Sequence, residues 1–326
     1  MKKRITAYII LFQLIIIGIL VYKIYTGGSV LGSSISVNPI KKEFQIFPKV
    51  NGLKYFHEPA PDRKLTYEFS WTGLVENGVN KDALKDRFNY SIKKASNVFR
   101  IITLGDSFTY GLHVSTADIW PEKLEDLLNS NLSCSKYKKF EVINLGEQAY
   151  DIQYEVERFK IRGIKYNPNL LVWMVLDNDF SYIEEELGPS LSNGAAELVR
   201  RGVTPASSNY GFSLYTYAIN EFRKKWDEGE TLDFQMHKLE EFDKYYNGSL
   251  VFYGLGNYSL DNSQYIDAIT EFSGNRKTTY FYRSNNPSWD EYLLLDDHPN
   301  KKGHKLIARD IFDYLMKNKL IPCGAN

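Results

Sequence analysis

Hydrophobic and polar positions divide the chain into stretches of different character. Residues 5–22 form an almost unbroken apolar run behind Lys2, Lys3 and Arg4, interrupted only by Thr6, Gln13 and Gly18. The run approaches the ~20 residues that cross a bilayer and exceeds the ~7–15 of a signal-peptide core. It predicts one transmembrane helix within residues 1–25. The basic end stays in the cytoplasm, and everything after the helix is extracytoplasmic. A signal peptide cleaved near Val30-Leu31-Gly32 is the competing reading, and it exports the same domain. Residues 26–47 show no sustained period and read as a stalk. Within residues 48–97, Leu65, Tyr67, Phe69 and Trp71 alternate with polar neighbours, the period of a half-buried strand. Asn77-Gly78 and Asn80 follow as turn signals. This stretch is expected to be an N-terminal extension packed on the main domain, without chemistry of its own.

From residue 98 to about 320 strand and helix patterns alternate. Strands are predicted over 98–104, 140–145, 170–176, 250–255 and 278–283. Helices are predicted over 120–128, 153–164 and 303–317. In the last, Leu306, Ile307, Ile311, Tyr314 and Leu315 share a face. The alternation predicts an α/β domain with a five-stranded parallel sheet and right-handed crossovers. Residues 180–246 are too many for a simple crossover, so they are expected to form an insertion or lid at the carboxyl edge of the sheet. Helical periodicity falls there at 214–226 and 232–245. Tyr210, Phe212, Tyr215 and Tyr217 either fill the insertion's own small core or line a cleft.

Composition narrows the function. The 326 residues carry 40 Lys plus Arg against 40 Asp plus Glu, so no net field recruits nucleic acid. Tyrosine (24) and phenylalanine (19) are abundant enough to offer flat surfaces to a glycan or acyl ligand. Cys134 and Cys323 are the only cysteines, which excludes a thiolate zinc cluster. Each follows a predicted helix, the first and the last of the domain. In a doubly wound sheet those helices end at the edge opposite the active site, so an exported protein can join the two in a disulfide.

Candidate chemistry gathers where strands end. Gly105-Asp106-Ser107 stops the run 98–104, and open α/β sheets place their sites at that edge. Asn144 to Ala149 follows the second strand, and Asp177-Asn178-Asp179 the third. Asp296-Asp297-His298-Pro299-Asn300 precedes the last helix. A serine needs a base to take its proton, and histidine has the suitable pKa. A carboxylate behind the ring fixes the tautomer, and amide donors hold the oxyanion.

These segments, in this order, resemble the blocks of the SGNH hydrolases, the GDSL esterase/lipase superfamily. The resemblance covers about residues 98–318 and implies the flavodoxin-like three-layer α/β/α fold of that superfamily. Ser107 matches its nucleophile, Asn178 the asparagine of its third block, and His298 its base. Two positions depart from the pattern. Ala149 stands where the second block has glycine, and Leu295 stands where an Asp-x-x-His motif would put its acid. Asp296 gives Asp-x-His instead, a spacing similar to the polysaccharide O-acetyltransferase branch. In an extended segment Asp297 points away from the site. The implied site is Ser107, His298 and Asp296, with Ser107, Ala149 and Asn178 donating to the oxyanion and Asp106 and Asp179 supporting their loops. No cofactor or metal is called for. His304 is expected to be structural, and His57, His113 and His237 to be surface or core.

The expected protein is a single-pass cell-membrane esterase acting outside the cytoplasm on a short O-acyl ester of a glycan or lipid. Alternatives are an O-acyltransferase using the same residues, a non-catalytic glycan-binding domain, and a metal-dependent phosphatase built on Asp106, Asp177 and Asp179.

Overall fold

The structure, a computed structural model, describes residues 44–46, 52–69, 71–202, 210–286 and 288–325. The expected membrane helix lies outside these residues, as does the stalk up to residue 43. Among the described residues no helix is long and apolar enough to cross a membrane. The last part of the expected stalk contains a strand, because Phe44–Ile46 pairs antiparallel with His57–Pro59.

The chain forms two compact units. One joins the described residues up to Ala60 with Ile183–Glu230, and the other joins Pro61–Tyr182 with Thr231–Asn326.

The second unit is built on the strands β1 (Val98–Leu104), β2 (Lys139–Asn144), β3 (Leu170–Val175), β4 (Ser249–Gly254) and β5 (Thr279–Arg283). All run parallel in the order β5-β4-β3-β1-β2. That is the flavodoxin-like arrangement, in which the chain reverses direction across the sheet beside β1 and leaves a crevice there. The Val-Phe-Arg-Ile-Ile-Thr-Leu run of β1 is buried at every position because it is paired on both edges and covered on both faces. Its residues alternate between two cores. Ile101, Val172 and Met174 pack with Trp120, Leu124, Ile307 and Ile311, whereas Ile102, Trp173 and Val175 pack with Ile152, Val156, Phe242 and Ile269.

The helices are α1 (Ser107–Tyr110), α2 (Trp120–Asn131), α3 (Ile152–Arg158), α4 (Asp177–Ser181), α5 (Glu184–Arg200), α6 (Tyr210–Phe222), α7 (Glu228–Phe242), α8 (Ser263–Gly274) and α9 (Lys301–Lys317). Helix α3 is shorter than its apolar period suggested. It passes at Phe159 into a π-helical turn and then a short 3-10 turn ending at Tyr166. Helices α1, α4, α5 and α8 were not expected. The α8 crossover buries Tyr265, Ile269 and Phe272.

Helices α2 and α9 cover the same face of the sheet, and beyond them Cys134 and Cys323 form a disulfide. The short strands Leu132–Ser133 and Gly324–Ala325 pair beside it.

The extension contains the expected strand but not the expected turn. Arg63–Phe69 and Gly73–Val79 form an antiparallel hairpin, so Asn77-Gly78 lies within a strand opposite Leu65 and Lys64. The chain reverses at Trp71-Thr72, where Gly73 supplies the left-handed conformation (φ 69°).

In the first unit, the Lys54 and Tyr55 amides donate to the Glu185 carboxylate at 2.7 and 3.1 Å. Leu198 and Leu214 share a small buried cluster with Leu191 and Ala195. Tyr217 lies against Gly194. The side chains of Tyr210, Phe212 and Tyr215 lie outside the described residues.

Candidate active site

Four loops of the second unit build the site. At the end of β1, Gly105 adopts φ 142°, and a Cβ there would sit 2.2 Å from Thr109 Oγ1, so only glycine makes this turn. Asp106 then caps α1, its Oδ1 accepting the Phe108 amide at 2.9 Å. Ser107 is the first helical residue, so its own amide has no acceptor within the helix.

After β2, Asn144 moulds the second loop. Its Oδ1 accepts the Gly146 amide at 2.9 Å and its Nδ2 donates to Lys85 O at 3.1 Å. The Glu147 amide bonds Gly105 O at 3.1 Å, drawing this loop onto the first. The approach is close enough that a Cβ on Gly146 would lie 2.5 Å from Tyr110 N. Ala149 has φ 54°, the region that favours glycine. The backbone shape associated with glycine is therefore present although the residue is alanine.

After β3, α4 carries Asn178, whose Nδ2 donates to Asp106 Oδ2 at 2.8 Å. Asp179 faces inward and accepts the Leu176 amide at 2.7 Å, closing the helix start. Asp177 turns the other way and accepts the amides of Asp261 and Asn262 at 3.3 and 3.2 Å.

The fourth loop precedes α9. The segment is not extended as expected: Leu294 N donates to His298 O at 2.8 Å, Asp297 N donates to Leu294 O at 3.1 Å, and Asp297 has φ 65°. This tight reversal brings the side chains on either side of Asp297 together. His298 Nδ1 lies 2.9 Å from Asp296 Oδ2, and its amide donates to Oδ1 at 3.4 Å. On the other side of the ring, His298 Nε2 lies 2.9 Å from Ser107 Oγ, across 191 positions of sequence. Asn300 accepts the Lys302 and Gly303 amides, which starts α9 directly behind His298.

Electrostatics separate the acids. Burial pushes Asp296 up, but His298 and His113 outweigh it and hold the carboxyl below its ordinary range. Burial raises Asp106, only partly offset by the Asn178 hydrogen bond. Asp179 lies well above its ordinary range, through burial and then the Asp106 charge. Asp297 is pushed up to about 6 by partial burial and the neighbouring Asp296.

The structure thus gathers Ser107, His298, Asp296, Asp106 and Asn178, with Asp179 beneath them and Ala149 on the adjoining loop. His304 is wholly buried, and its Nδ1 accepts the Trp120 amide at 3.1 Å. Among the described residues no three His, Cys, Asp or Glu side chains are grouped so as to hold a metal ion. Asp106, Asp177 and Asp179 each point to different backbone amides.

His113 is buried, one of the two places the sequence reading allowed it. Its Nε2 lies 3.5 Å from Asp296 Oδ2. No spacing rule signals this contact, because the two residues come from unrelated loops.

Residues 101–311 match the family model described as GDSL-like Lipase/Acylhydrolase. No curated protein matched the sequence. The fold is similar to a lipase/acylhydrolase from Enterococcus faecalis (14% identity, 67% of this chain and 95% of that chain, TM-score 0.42). It is also similar to an acetyl xylan esterase from the rumen bacterium Butyrivibrio proteoclasticus (12%, 70% and 66%, TM-score 0.40). An esterase from Pseudoalteromonas sp. is a further likeness (15%, 67% and 97%, TM-score 0.40). Because the family model spans well over half of the sequence and takes in both the serine turn and the histidine loop, this chain belongs to the GDSL-like lipase/acylhydrolase family and is an ester-hydrolysing enzyme.

Proposed function

We propose that the chain is a membrane-anchored, extracytoplasmic serine esterase that removes a short O-acyl group from a glycan or lipid. One observation carries the chemistry: Ser107 Oγ, His298 Nε2, His298 Nδ1 and Asp296 Oδ2 form a continuous line with both contacts at 2.9 Å. That distance is within reach for proton transfer in the ground state.

With its proton on Nδ1, His298 takes the Ser107 proton at Nε2 as Oγ bonds the acyl carbon. Asp296 stabilises the imidazolium that forms. The oxyanion is held by the Ser107 and Ala149 amides and by the Asn178 side chain, whose primary amide has a second N–H besides the one given to Asp106. His298 returns the proton to the leaving alkoxide, giving the free alcohol and an acyl-serine. Water then attacks, His298 takes its proton and passes it to Ser107, and the carboxylic acid leaves.

The basic apolar leader supports an exported, tethered address, and the abundance of aromatic residues favours a glycan ester over a lipid. The test is hydrolysis of 4-nitrophenyl acetate by the full chain in detergent, together with fluorophosphonate labelling. Ser107→Ala is expected to abolish both, and a chelator to change neither. Equal turnover by Ser107→Ala removes the assignment.

A second reading uses the same acyl-serine. The Asp-x-His spacing favours transfer of the acyl group to a sugar hydroxyl in place of water. Acetylation of an added oligosaccharide acceptor, followed by mass, separates transfer from hydrolysis.

A further inference from the structure

We propose that His113 is a positioning residue that shares the Asp296 carboxylate with His298 and fixes the acid in line with the base. This inference rests on the serine-esterase reading above.

Asp296 Oδ2 faces two imidazoles, His298 Nδ1 at 2.9 Å and His113 Nε2 at 3.5 Å. The two rings stand nearly perpendicular, 85° apart with centroids 6.4 Å from one another. The His113 contact is at ion-pair rather than hydrogen-bond distance, and a second polar ring against the same oxygen limits how far the carboxylate can swing about its Cβ–Cγ bond. Polar contacts at such sites are commonly long before substrate arrives and can tighten into hydrogen bonds afterwards.

The surroundings of His113 are built to hold it. Its backbone is left-handed (φ 62°), a conformation an L-residue adopts at a cost, and such outliers gather at functional sites. The wholly buried Lys85 donates its ammonium to Gly111 O at 2.7 Å and Val114 O at 2.8 Å, clamping the loop on both sides of His113. Trp71, at the turn of the extension's hairpin, packs edge-on against the ring at 5.0 Å, and Tyr67 does so at 6.2 Å. The extension therefore does bear on the chemistry, by supporting the acid. Burial holds the His113 ring down to about 4, so at neutral pH it is uncharged. It adds no positive charge to compete with the imidazolium that His298 must become.

The experiment compares His113→Leu, which fills the space without a donor, with His113→Gln, whose amide N–H reaches the place of Nε2. Substrate is 4-nitrophenyl acetate, and Ser107→Ala is run alongside. A small misplacement of a reacting group costs up to ~10²-fold in rate. His113→Leu is expected to lose about 10- to 100-fold in kcat with KM changed less than about twofold. His113→Gln is expected to recover most of that loss. Unchanged kcat in His113→Leu, or equal losses in both variants, overturns the proposal. If His113→Leu does not fold, His113→Gln is compared with His113→Asn, whose amide falls short of Asp296. A faster Gln variant supports the positioning role, and equal rates overturn it. Retained activity in Ser107→Ala is a different failure, since it removes the serine-esterase reading itself.

Discussion

Asn178 Nδ2 and Asp106 Oδ2 meet at 2.8 Å, joining the helix after β3 to the turn after β1. One carboxylate thereby serves two loops, because Asp106 Oδ1 also holds the Phe108 amide beside Ser107. The relation sets where the second N–H of Asn178 points.

If that N–H stabilises the oxyanion, Asn178→Ala lowers kcat by ~10²–10³ with little effect on KM. Asp106→Ala lowers kcat as well, and loss of the cap removes ~1 kcal/mol of stability. The double variant should lose much less than the product of the single losses, since both remove one arrangement. Steady-state kinetics and thermal melts on the set of variants measure this; a multiplicative double variant shows that the two residues act separately.

Ala149 gives a prediction of opposite sign. A left-handed conformation costs an L-residue ~1–2 kcal/mol, and glycine gives back ~0.5–1 through greater freedom of the unfolded chain. Ala149→Gly should therefore raise stability by about 0.5–1 kcal/mol and leave kcat/KM nearly unchanged. Urea denaturation reads the first quantity, and a lower midpoint refutes it.

His304 predicts a pH dependence. Burial holds its pKa down to about 3, from 6.5, so the folded imidazole stays neutral where the unfolded one is charged. Between those values the unfolded chain binds the extra proton. Stability from this source is complete above the upper value and falls as the pH drops towards the lower one, by about 1.4 kcal/mol per pH unit. Going from about pH 7 to about pH 5, the wild type should lose about 2 kcal/mol more than His304→Asn, whose amide oxygen still accepts the Trp120 N–H. Parallel losses in the two proteins refute the prediction.

The Cys134–Cys323 bond closes a loop of 189 positions. Replacing both cysteines by serine should cost about 2–5 kcal/mol without altering the ester chemistry. A thiol reagent added to the denatured, unreduced protein should find no free sulfhydryl.

How far the sequence was legible follows from which forces are local. The run 98–104 was readable as a buried strand because every side chain in it is apolar or β-branched except Arg100, and β3 beside it is apolar throughout. The serine turn was readable because it stops a buried strand, and the histidine loop because it runs into the amphipathic last helix. Asn77-Gly78 misled because pairing with Leu65 and Lys64 outweighs the turn preference of those two residues. Helix α8 carried a signal that went unused: Tyr265, Ile269 and Phe272 recur at the spacing of one helical face. The reversal at Asp297 is closed locally, by bonds among Leu294, Asp297 and His298, whereas the approach of His113 to Asp296 joins distant loops, and no local pattern encodes it.

The sulfur bridge bears on what proteolysis can do to the enzyme. Ser107 precedes Cys134, and His298 lies between Cys134 and Cys323, close to the latter. A peptide bond cut anywhere from 135 to 297 would leave two fragments, one bearing the hydroxyl and the other the imidazole, still covalently tied. Such nicked material would run as one species until reducing agent is added, and would carry both reacting groups for as long as the sheet holds.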